Sequence, residues 1–210
     1  MKEKINIALT GVGGQGVVTA SNILGITAVR AGINVFVSEV HGMAQRGGSV
    51  NCTVRLGDVS GPLIPNGTAN AILSMEPSET LRYIRYSNKK TKIITDIVPI
   101  IPFTVATGDE KYPELKKIFN ELENYGELYK VDAAKLANEA GALITKNVVM
   151  LGALAGADIL PFKPDFLLGV ILESVPNEYT SINKKAFELG FKSIKNKNLF
   201  IVDFFHQINI

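Results

Sequence analysis

The chain has 210 residues, of which 46% are hydrophobic, 20% charged and 8% aromatic. This composition excludes a disordered chain, a collagen-like fibre and a heptad rod. The 22 Lys and Arg residues exceed the 20 Asp and Glu residues by only two, and no charge run is long enough to bind nucleic acid or a membrane surface. The single cysteine, Cys52, excludes an intrachain disulfide and is typical of a reducing compartment. We therefore expect a cytoplasmic protein with no nucleic-acid and no membrane partner.

The first half of the chain predicts strands alternating with helices. Ile5–Thr10 is a short apolar run without helical period, which indicates a buried strand. After a glycine loop, Gln15–Ala31 predicts a helix that is apolar nearly all round and stops at Gly32. Such a helix is usually covered on more than one side, and the second cover could be another chain. A helix is predicted from Pro77 to about Tyr86, and further strands over Ile33–Val40, Ser49–Leu56, Ala69–Met75 and Lys92–Asp96.

The second half continues this alternation and then becomes helical. Pro113–Asn124 has one apolar face and predicts a surface helix. Leu128–Val131 predicts a sixth strand, and Asp132 is placed to cap a helix that ends at Gly141. Further helices are predicted over Asn147–Ala157, Asp165–Glu173 and Glu178–Lys195. Alternating strands and helices indicate an α/β fold with a mostly parallel sheet and helices on both faces.

The first motif is Gly11-x-Gly13-x-x-Gly16, which follows a predicted strand and opens a predicted helix. This is the context of a dinucleotide fingerprint, because glycines let the backbone approach an anion at a helix N-terminus. Glu39 lies 23 residues after Gly16, at the end of the second predicted strand, where a ribose-binding acid would lie. The alternative is a tight turn in which the glycines serve packing only. The candidate cofactor-binding residues are Gly11, Gly13, Gly14, Gln15, Gly16 and Glu39.

The second motif is the loop His41–Gly48, which leaves the carboxyl end of a predicted strand. Open α/β sheets place their ligands at that edge. Arg46 could hold an anionic ligand with its fork of donors, although a solvated turn in which Arg46 pairs with Glu39 is the alternative. We favour a functional loop, with His41, Gln45 and Arg46 as candidate catalytic residues.

Other features carry less information about chemistry. The two histidines, His41 and His206, make no convincing ligand set, so no metal site is predicted. Cys52 is expected to be a buried structural thiol. Glu76 could face the same cleft as Arg46 or could stabilise the start of the Pro77 helix. The chain carries no phosphate loop, nucleophile elbow or thiamine diphosphate signature, which suggests one part of a larger enzyme.

Several runs together resemble the gamma-type module of the 2-oxoacid:ferredoxin oxidoreductases. They are GVGGQGVV at 11–18, SEVHGMAQRGGSV at 38–50, PLIP at 62–65, EP at 76–77, NVVMLGAL at 147–154 and NKKAFELG at 183–190. The HGMAQRGG form of the loop is similar to that of beta subunits of indolepyruvate ferredoxin oxidoreductases. The resemblance implies a Rossmann-like three-layer α/β/α fold forming a single domain over residues 1–198, with an apolar C-terminal tail over residues 199–210 outside it.

The resemblance also implies an activity and partners. An aryl 2-oxo acid such as indolepyruvate would be decarboxylated on thiamine diphosphate, coenzyme A would take the acyl group, and iron–sulfur clusters would pass electrons to ferredoxin. The thiamine and the clusters belong to a larger alpha subunit in this family, so this chain is expected to bind no cofactor alone. Three alternatives stay open: a gamma subunit of a pyruvate or 2-oxoglutarate relative, a nucleotide-dependent oxidoreductase, and a purely structural assembly subunit.

Overall fold

The computed structural model describes residues 4–41, 47–101 and 111–207, with the backbone alone for His41 and for residues 196–207. Within these residues, six strands lie at β1 Ile5–Val12, β2 Val35–His41, β3 Ser49–Leu56, β4 Ala71–Ser74, β5 Lys92–Asp96 and β6 Glu127–Val131. The described part of the chain also contains seven helices, at α1 Val17–Arg30, α2 Pro77–Arg82, α3 Leu115–Leu122, α4 Ala133–Ala140, α5 Lys146–Gly156, α6 Pro164–Glu173 and α7 Thr180–Gln207. Short 3-10 turns occur at Ile84–Tyr86, Leu143–Thr145 and Asn177–Tyr179.

The strands form one sheet in the order β2-β3-β1-β4-β5-β6. The β1–β4, β4–β5 and β5–β6 pairs are parallel, whereas β3 is antiparallel to both β1 and β2. The predicted α/β class with a mostly parallel sheet is confirmed. The sheet differs from a doubly wound sheet in the hairpin β2–β3, because this hairpin places the antiparallel strand β3 between β1 and β2.

The alternation of side chains along β1 divides the core between the two faces of the sheet. Ile7 and Leu9 point to the larger core, which α1, α5, α6 and α7 cover, while Ala8 points to the opposite face. On the Ala8 face of the sheet, Ile118 and Leu122 of α3 pack against β5 and β6. The layers are therefore helix, sheet and helix, as predicted.

Helix α1 is enclosed on more than one side by the chain itself. It packs on β2 and β3 and also contacts α5 and α6, and Gly25 allows the close approach of Val37 from β2. One stripe remains open: Ile26 is 44% and Val29 is 65% exposed. With Val37 these two residues line a groove beside β2, which is an edge strand among the described strands.

Two glycines let α5 and α7 pack closely. A Cβ at Gly152 would overlap the Phe187 backbone, and a Cβ at Gly190 would overlap the Val149 backbone. The runs at 147–154 and 183–190 are thus the two halves of one helix–helix contact. The last helix was predicted to end at Lys195 but continues to Gln207, because neither Gly nor Pro follows Gly190 to interrupt it. Over the described residues, every helix is too short or too polar to cross a bilayer.

Candidate functional site

The glycine motif forms the turn between β1 and α1. Gly14 and Gly16 have φ of 97° and 78°, in the left-handed region that favours glycine. Gly16 is required for a second reason, because a Cβ there would lie 2.8 Å from Nδ2 of Asn147 at the start of α5. Gly14 is exposed, and a Cβ there would meet no atom within 4 Å.

Gln15 and Gly11 hold this turn in place. The Gln15 Oε1 atom accepts a hydrogen bond from the Val12 N–H over 2.6 Å, and its Nε2 donates to the Met75 carbonyl over 2.6 Å. A Cβ at Gly11 would lie 2.7 Å from that Oε1 atom and 3.0 Å from the Met75 Cβ. The packing alternative therefore accounts for Gly11 and Gln15, and their cofactor-binding role stays a prediction.

The glycine turn is joined directly to the second motif. The Gly13 N–H donates to the Gly48 carbonyl over 2.8 Å, and the Gly47 N–H lies 3.5 Å from the Gly13 carbonyl oxygen. The backbone of His41 ends β2 and pairs with Val50. Gln45, Arg46 and the side chain of His41 lie outside the described residues, so their roles stay predictions. Both ends of their segment are nevertheless placed, and its carboxyl end lies against Gly13.

Glu39 lies on the same face of the sheet as Cys52 but two strands from β1. It is paired with Cys52, which is in turn paired with Leu9, so β3 separates it from β1 by roughly two strand spacings, ~10 Å. In the dinucleotide fingerprint the ribose-binding acid follows a strand adjacent to β1, and the inserted β3 removes that adjacency. A binding role for Glu39 is thus left with no support from the fingerprint's geometry.

Cys52 has the surroundings of a structural thiol. Burial raises its pKa above the ordinary value, a hydrogen bond with Ser21 opposes the shift, and the negative charge of Glu39 adds to it. A raised pKa keeps the thiol neutral and unreactive near pH 7. The structure therefore agrees with the predicted structural role.

Glu76 caps α2 and also holds the chain on both sides of residues 102–110. Its Oε2 accepts from the Glu79 N–H over 2.8 Å and from the Ser78 hydroxyl over 2.7 Å. Its Oε1 accepts from the Tyr112 hydroxyl over 2.5 Å and from the Ile100 N–H over 3.4 Å. Because four donors surround a carboxylate that is only 1% exposed, the helix-stabilising alternative is the one the structure supports.

Sequence reasoning missed the pair formed by Lys146 and Asp96. The Lys146 Nζ lies 2.6 Å from Oδ2 of Asp96 at the end of β5. Lys146 also lines a cavity of about 190 Å³ together with Gly14, Gln15, Met75, Ile100, Leu143 and Ile144. Two sequence features pointed to these residues: Asp96 lies at the carboxyl end of a predicted strand, and Lys146 directly precedes the run at 147–154. Neither signal links residues fifty positions apart in the sequence.

The comparisons with known proteins agree on one family. Residues 6–193 match the family model described as pyruvate ferredoxin/flavodoxin oxidoreductase. An indolepyruvate oxidoreductase subunit IorB from Thermococcus kodakarensis is 49% identical over 93% of this chain and 98% of its own length. Another IorB, from Archaeoglobus fulgidus, is 43% identical over 90% of this chain and 94% of its own length.

More distant relatives share the fold over nearly the whole chain. The common gamma subunit of the pyruvate/ketoisovalerate oxidoreductases of T. kodakarensis is 29% identical over 89% of this chain and 95% of its own length. A solved structure of 2-oxoglutarate:ferredoxin oxidoreductase from Magnetococcus marinus, with 2-oxoglutarate, coenzyme A and succinyl-CoA bound, superposes with a TM-score of 0.71 at 19% identity. That match covers 93% of this chain and 32% of the other. The chain belongs to the pyruvate ferredoxin/flavodoxin oxidoreductase family, in the branch formed by the indolepyruvate oxidoreductase IorB subunits.

Proposed function

We propose that this chain is the small subunit of an indolepyruvate-type 2-oxoacid:ferredoxin oxidoreductase. The observation that carries the proposal is a contrast within one organism. The chain is 49% identical to the T. kodakarensis IorB subunit but 29% identical to the pyruvate/ketoisovalerate gamma subunit of the same organism. This contrast favours an aryl 2-oxo acid over pyruvate as the substrate.

The proposed reaction consumes the 2-oxo acid, coenzyme A and two oxidised ferredoxins. It yields acyl-coenzyme A, carbon dioxide, a proton and two reduced ferredoxins. Thiamine diphosphate would supply the carbanion chemistry and iron–sulfur clusters the electron path, both on a larger alpha subunit. Since this chain has one cysteine, and that one is buried, the four thiolates that a cluster usually takes have to come from the partner. The unpaired thiol also supports a reducing compartment such as the cytoplasm.

The site residues of this chain would complete the active-site region of the partner. The Gly13–Gly16 turn would form one wall, with His41, Gln45 and Arg46 beside it on the loop that Gly47 and Gly48 join to Gly13. We assign Arg46 to an anionic group of the 2-oxo acid or of coenzyme A, because a guanidinium can donate two parallel hydrogen bonds. Coenzyme A is bound in the Magnetococcus enzyme, which supports its use here.

The open edge of the sheet supports an obligatory partner. The groove of Ile26, Val29 and Val37 lies on one face of the edge strand β2, and Val40, which is 60% accessible, is exposed on the other face. Exposed apolar groups beside an edge strand are costly for a protein that stays alone.

Co-expression of the chain with the larger thiamine-binding, cysteine-rich subunit that the proposal requires is the test. The complex should reduce ferredoxin or a dye with indolepyruvate and coenzyme A, with kcat/KM about tenfold or more above that for pyruvate or 2-oxoglutarate. The chain alone should be colourless and inactive. A preference for pyruvate or 2-oxoglutarate would show instead that the chain is the gamma subunit of a pyruvate- or 2-oxoglutarate-type enzyme. Full activity of the large subunit alone would leave this chain an assembly subunit.

A further inference from the structure

We infer that Arg85, held between Tyr83 and Tyr86, binds a carboxylate in an acidic segment of the larger subunit. These three residues form the Arg–Tyr patch, which lies on the Ala8 face of the sheet, opposite the face that α1 covers. The inference rests on the proposed function for the identity of the partner, but not for the surface itself.

The two tyrosines hold the Arg85 guanidinium in one orientation. Their rings are stacked, with centroids 6.3 Å apart and an angle of 11° between the planes. The Arg85 Cζ lies 5.7 Å from the Tyr83 centroid and 4.9 Å from the Tyr86 centroid, and Nη2 donates a hydrogen bond to the Tyr86 hydroxyl over 3.1 Å. Cation–π attraction and this bond orient the guanidinium before a partner arrives. Less side-chain freedom is then lost on binding.

The fold anchors the patch on both sides. The Tyr83 hydroxyl lies 3.3 Å from Oγ of Ser49 at the start of β3. The Arg85 carbonyl accepts a hydrogen bond from the Gly67 N–H over 3.0 Å, and Tyr86 packs on the smaller core of the Ala8 face. The exposed guanidinium therefore stands on a rigid base.

The guanidinium has no acidic partner within its own surroundings. Over the part of the chain that the structure describes, the side-chain contacts of Arg85 are with the two tyrosines. Residues 82–90 contain four Lys or Arg residues and no Asp or Glu. The Glu79 carboxylate is buried and pairs with Arg82 Nε over 3.2 Å. The unengaged N–H donors of Arg85 can thus bind a carboxylate through two parallel hydrogen bonds.

Apolar side chains beside the patch favour a protein partner over a nucleic acid. Leu63 is 75% exposed and precedes Ile64, which belongs to the core that Tyr86 packs on. Arg55 fixes the loop of Leu63 by donating from Nη1 to its carbonyl over 2.8 Å. Val40 is exposed on the same face of the sheet. Arginine and tyrosine with apolar neighbours form the composition typical of the energetic centre of protein interfaces.

The position of the patch selects the larger subunit among protein partners. Ser49, which Tyr83 contacts, directly follows Gly47 and Gly48, and these join the 42–46 segment to Gly13. The proposed function places the active site of the larger subunit beside that segment. A subunit that covers it reaches the Arg–Tyr patch as well, whereas ferredoxin has to approach the iron–sulfur clusters on the partner.

Variants at exposed positions test the patch without disturbing the core. Arg85→Gln removes the charge, and Arg85→Glu reverses it at a side chain exposed to solvent. Leu63→Asp is an independent change on the neighbouring loop. Lys184→Glu, at an exposed position of α7 on the other face of the sheet, is the matched control. Circular dichroism confirms that each variant is folded.

The measurement is the dissociation of the assembled complex. The full chain is co-expressed with the larger subunit, and the purified complex is diluted and followed by mass photometry. We expect Kd to rise about tenfold for Arg85→Gln, about a hundredfold for Arg85→Glu and several-fold for Leu63→Asp. Lys184→Glu should leave Kd unchanged. The difference between the wild type and Arg85→Gln should shrink in ~1 M NaCl, because salt screens the ion pair.

Three results would overturn the inference. The first is an equal Kd for the wild type and folded Arg85→Glu. The second is an unchanged Kd with a raised KM for ferredoxin, which would assign the patch to ferredoxin. The third is an unchanged Kd with loss of binding to a labelled RNA oligonucleotide, which would assign it to nucleic acid. A complex inactive with every 2-oxo acid would instead count against the proposed function, and the dissociation measurement would still decide on Arg85.

Discussion

The Gln15 side chain donates a hydrogen bond to the Met75 carbonyl oxygen over 2.6 Å, which ties the glycine turn to the end of β4. The same amide accepts from the Val12 N–H, so one side chain satisfies two backbone groups at the ends of neighbouring strands. Val12 and Met75 are both buried. Water cannot easily replace the amide at these positions, and the turn depends on it.

Gln15→Leu should therefore lower the free energy of unfolding by about 2 kcal/mol or more, because a buried donor and a buried acceptor each lose a partner. The measurement is urea denaturation followed by circular dichroism. Asn22→Ala, at an exposed position of α1, is the control and should change stability by less than about 0.5 kcal/mol. Equal stability of Gln15→Leu and the wild type would show that the turn holds without the amide.

Gly16→Ala and Gly14→Ala separate backbone strain from steric overlap. Both positions have positive φ, so each alanine should cost about 1 kcal/mol or more in conformational strain. Only at Gly16 does the added carbon meet Asn147, at 2.8 Å, which should add about 1–3 kcal/mol. Thermal denaturation measures both. Asn147→Ala should recover part of the loss in the Gly16→Ala background and none in the Gly14→Ala background.

Tyr112→Phe tests the tie between Glu76 and the chain after residue 110. Removing the hydroxyl leaves a buried carboxylate oxygen with one donor fewer, so unfolding should become easier by about 1–3 kcal/mol at pH 8. Tyr125→Phe, at an exposed tyrosine, should have little effect.

The same tyrosine should make stability depend on pH. Burial and the Glu76 carboxylate raise the Tyr112 pKa well above its ordinary value of 10.0. A group whose pKa is raised by folding contributes its full stabilisation below the pKa of the unfolded chain and loses it as the pH rises beyond that value. The advantage of the wild type over Tyr112→Phe should therefore shrink between about pH 10 and 11. An advantage that grows over this range would contradict the assignment.

The purified chain should not bind NAD tightly, despite its glycine fingerprint. The reason is the antiparallel strand β3, which lies between β1 and the strand that carries Glu39. Calorimetric titration should give no dissociation constant below about 100 μM, a bound set by the few contacts that the glycine turn alone can offer. Micromolar binding that Glu39→Ala abolishes would favour the nucleotide-dependent alternative.

Arg46→Lys should reduce kcat/KM of the intact complex by about ten- to a hundredfold, since a point charge cannot reproduce two parallel donors. The assay is steady-state ferredoxin or dye reduction with indolepyruvate, after confirming that both subunits co-elute. Lys116→Met, at an exposed position of α3, is the control for a change at an exposed cation. Unchanged kinetics for the 2-oxo acid and for coenzyme A would make Arg46 a structural residue.

Local patterns in the sequence predicted most elements of the fold but not their order in the sheet. The bounds predicted for β3 and β5 agree with the structure, and Asp132 caps α4 as predicted, accepting a hydrogen bond from the Lys135 N–H. Periodicity and capping depend on near neighbours in the chain, which is why they could be predicted. The place of β3 between β1 and β2 depends on pairing across the sheet, and the sequence carries no comparable local signal for it.

The candidate site shows the same division between local and distant information. The glycine turn could be located from spacing, because Gly14 and Gly16 require positive φ at fixed positions after a strand. The contact between Lys146 and Asp96 could not, because it joins the end of β5 to the start of α5, which are fifty residues apart in the sequence and are brought together only by tertiary packing.

The β2–β3 hairpin has a consequence for how such a site can diversify. Residues 42–46 connect neighbouring antiparallel strands, so their two ends are anchored side by side, at His41 and at Gly47 beside Gly13. A connection of this kind can change its length and its side chains without displacing any strand. In an adjacent parallel pair the same change would have to pass through a crossover helix. Under the proposed function, which places this segment at the active site, its exchange between family members would change substrate preference on an unchanged scaffold.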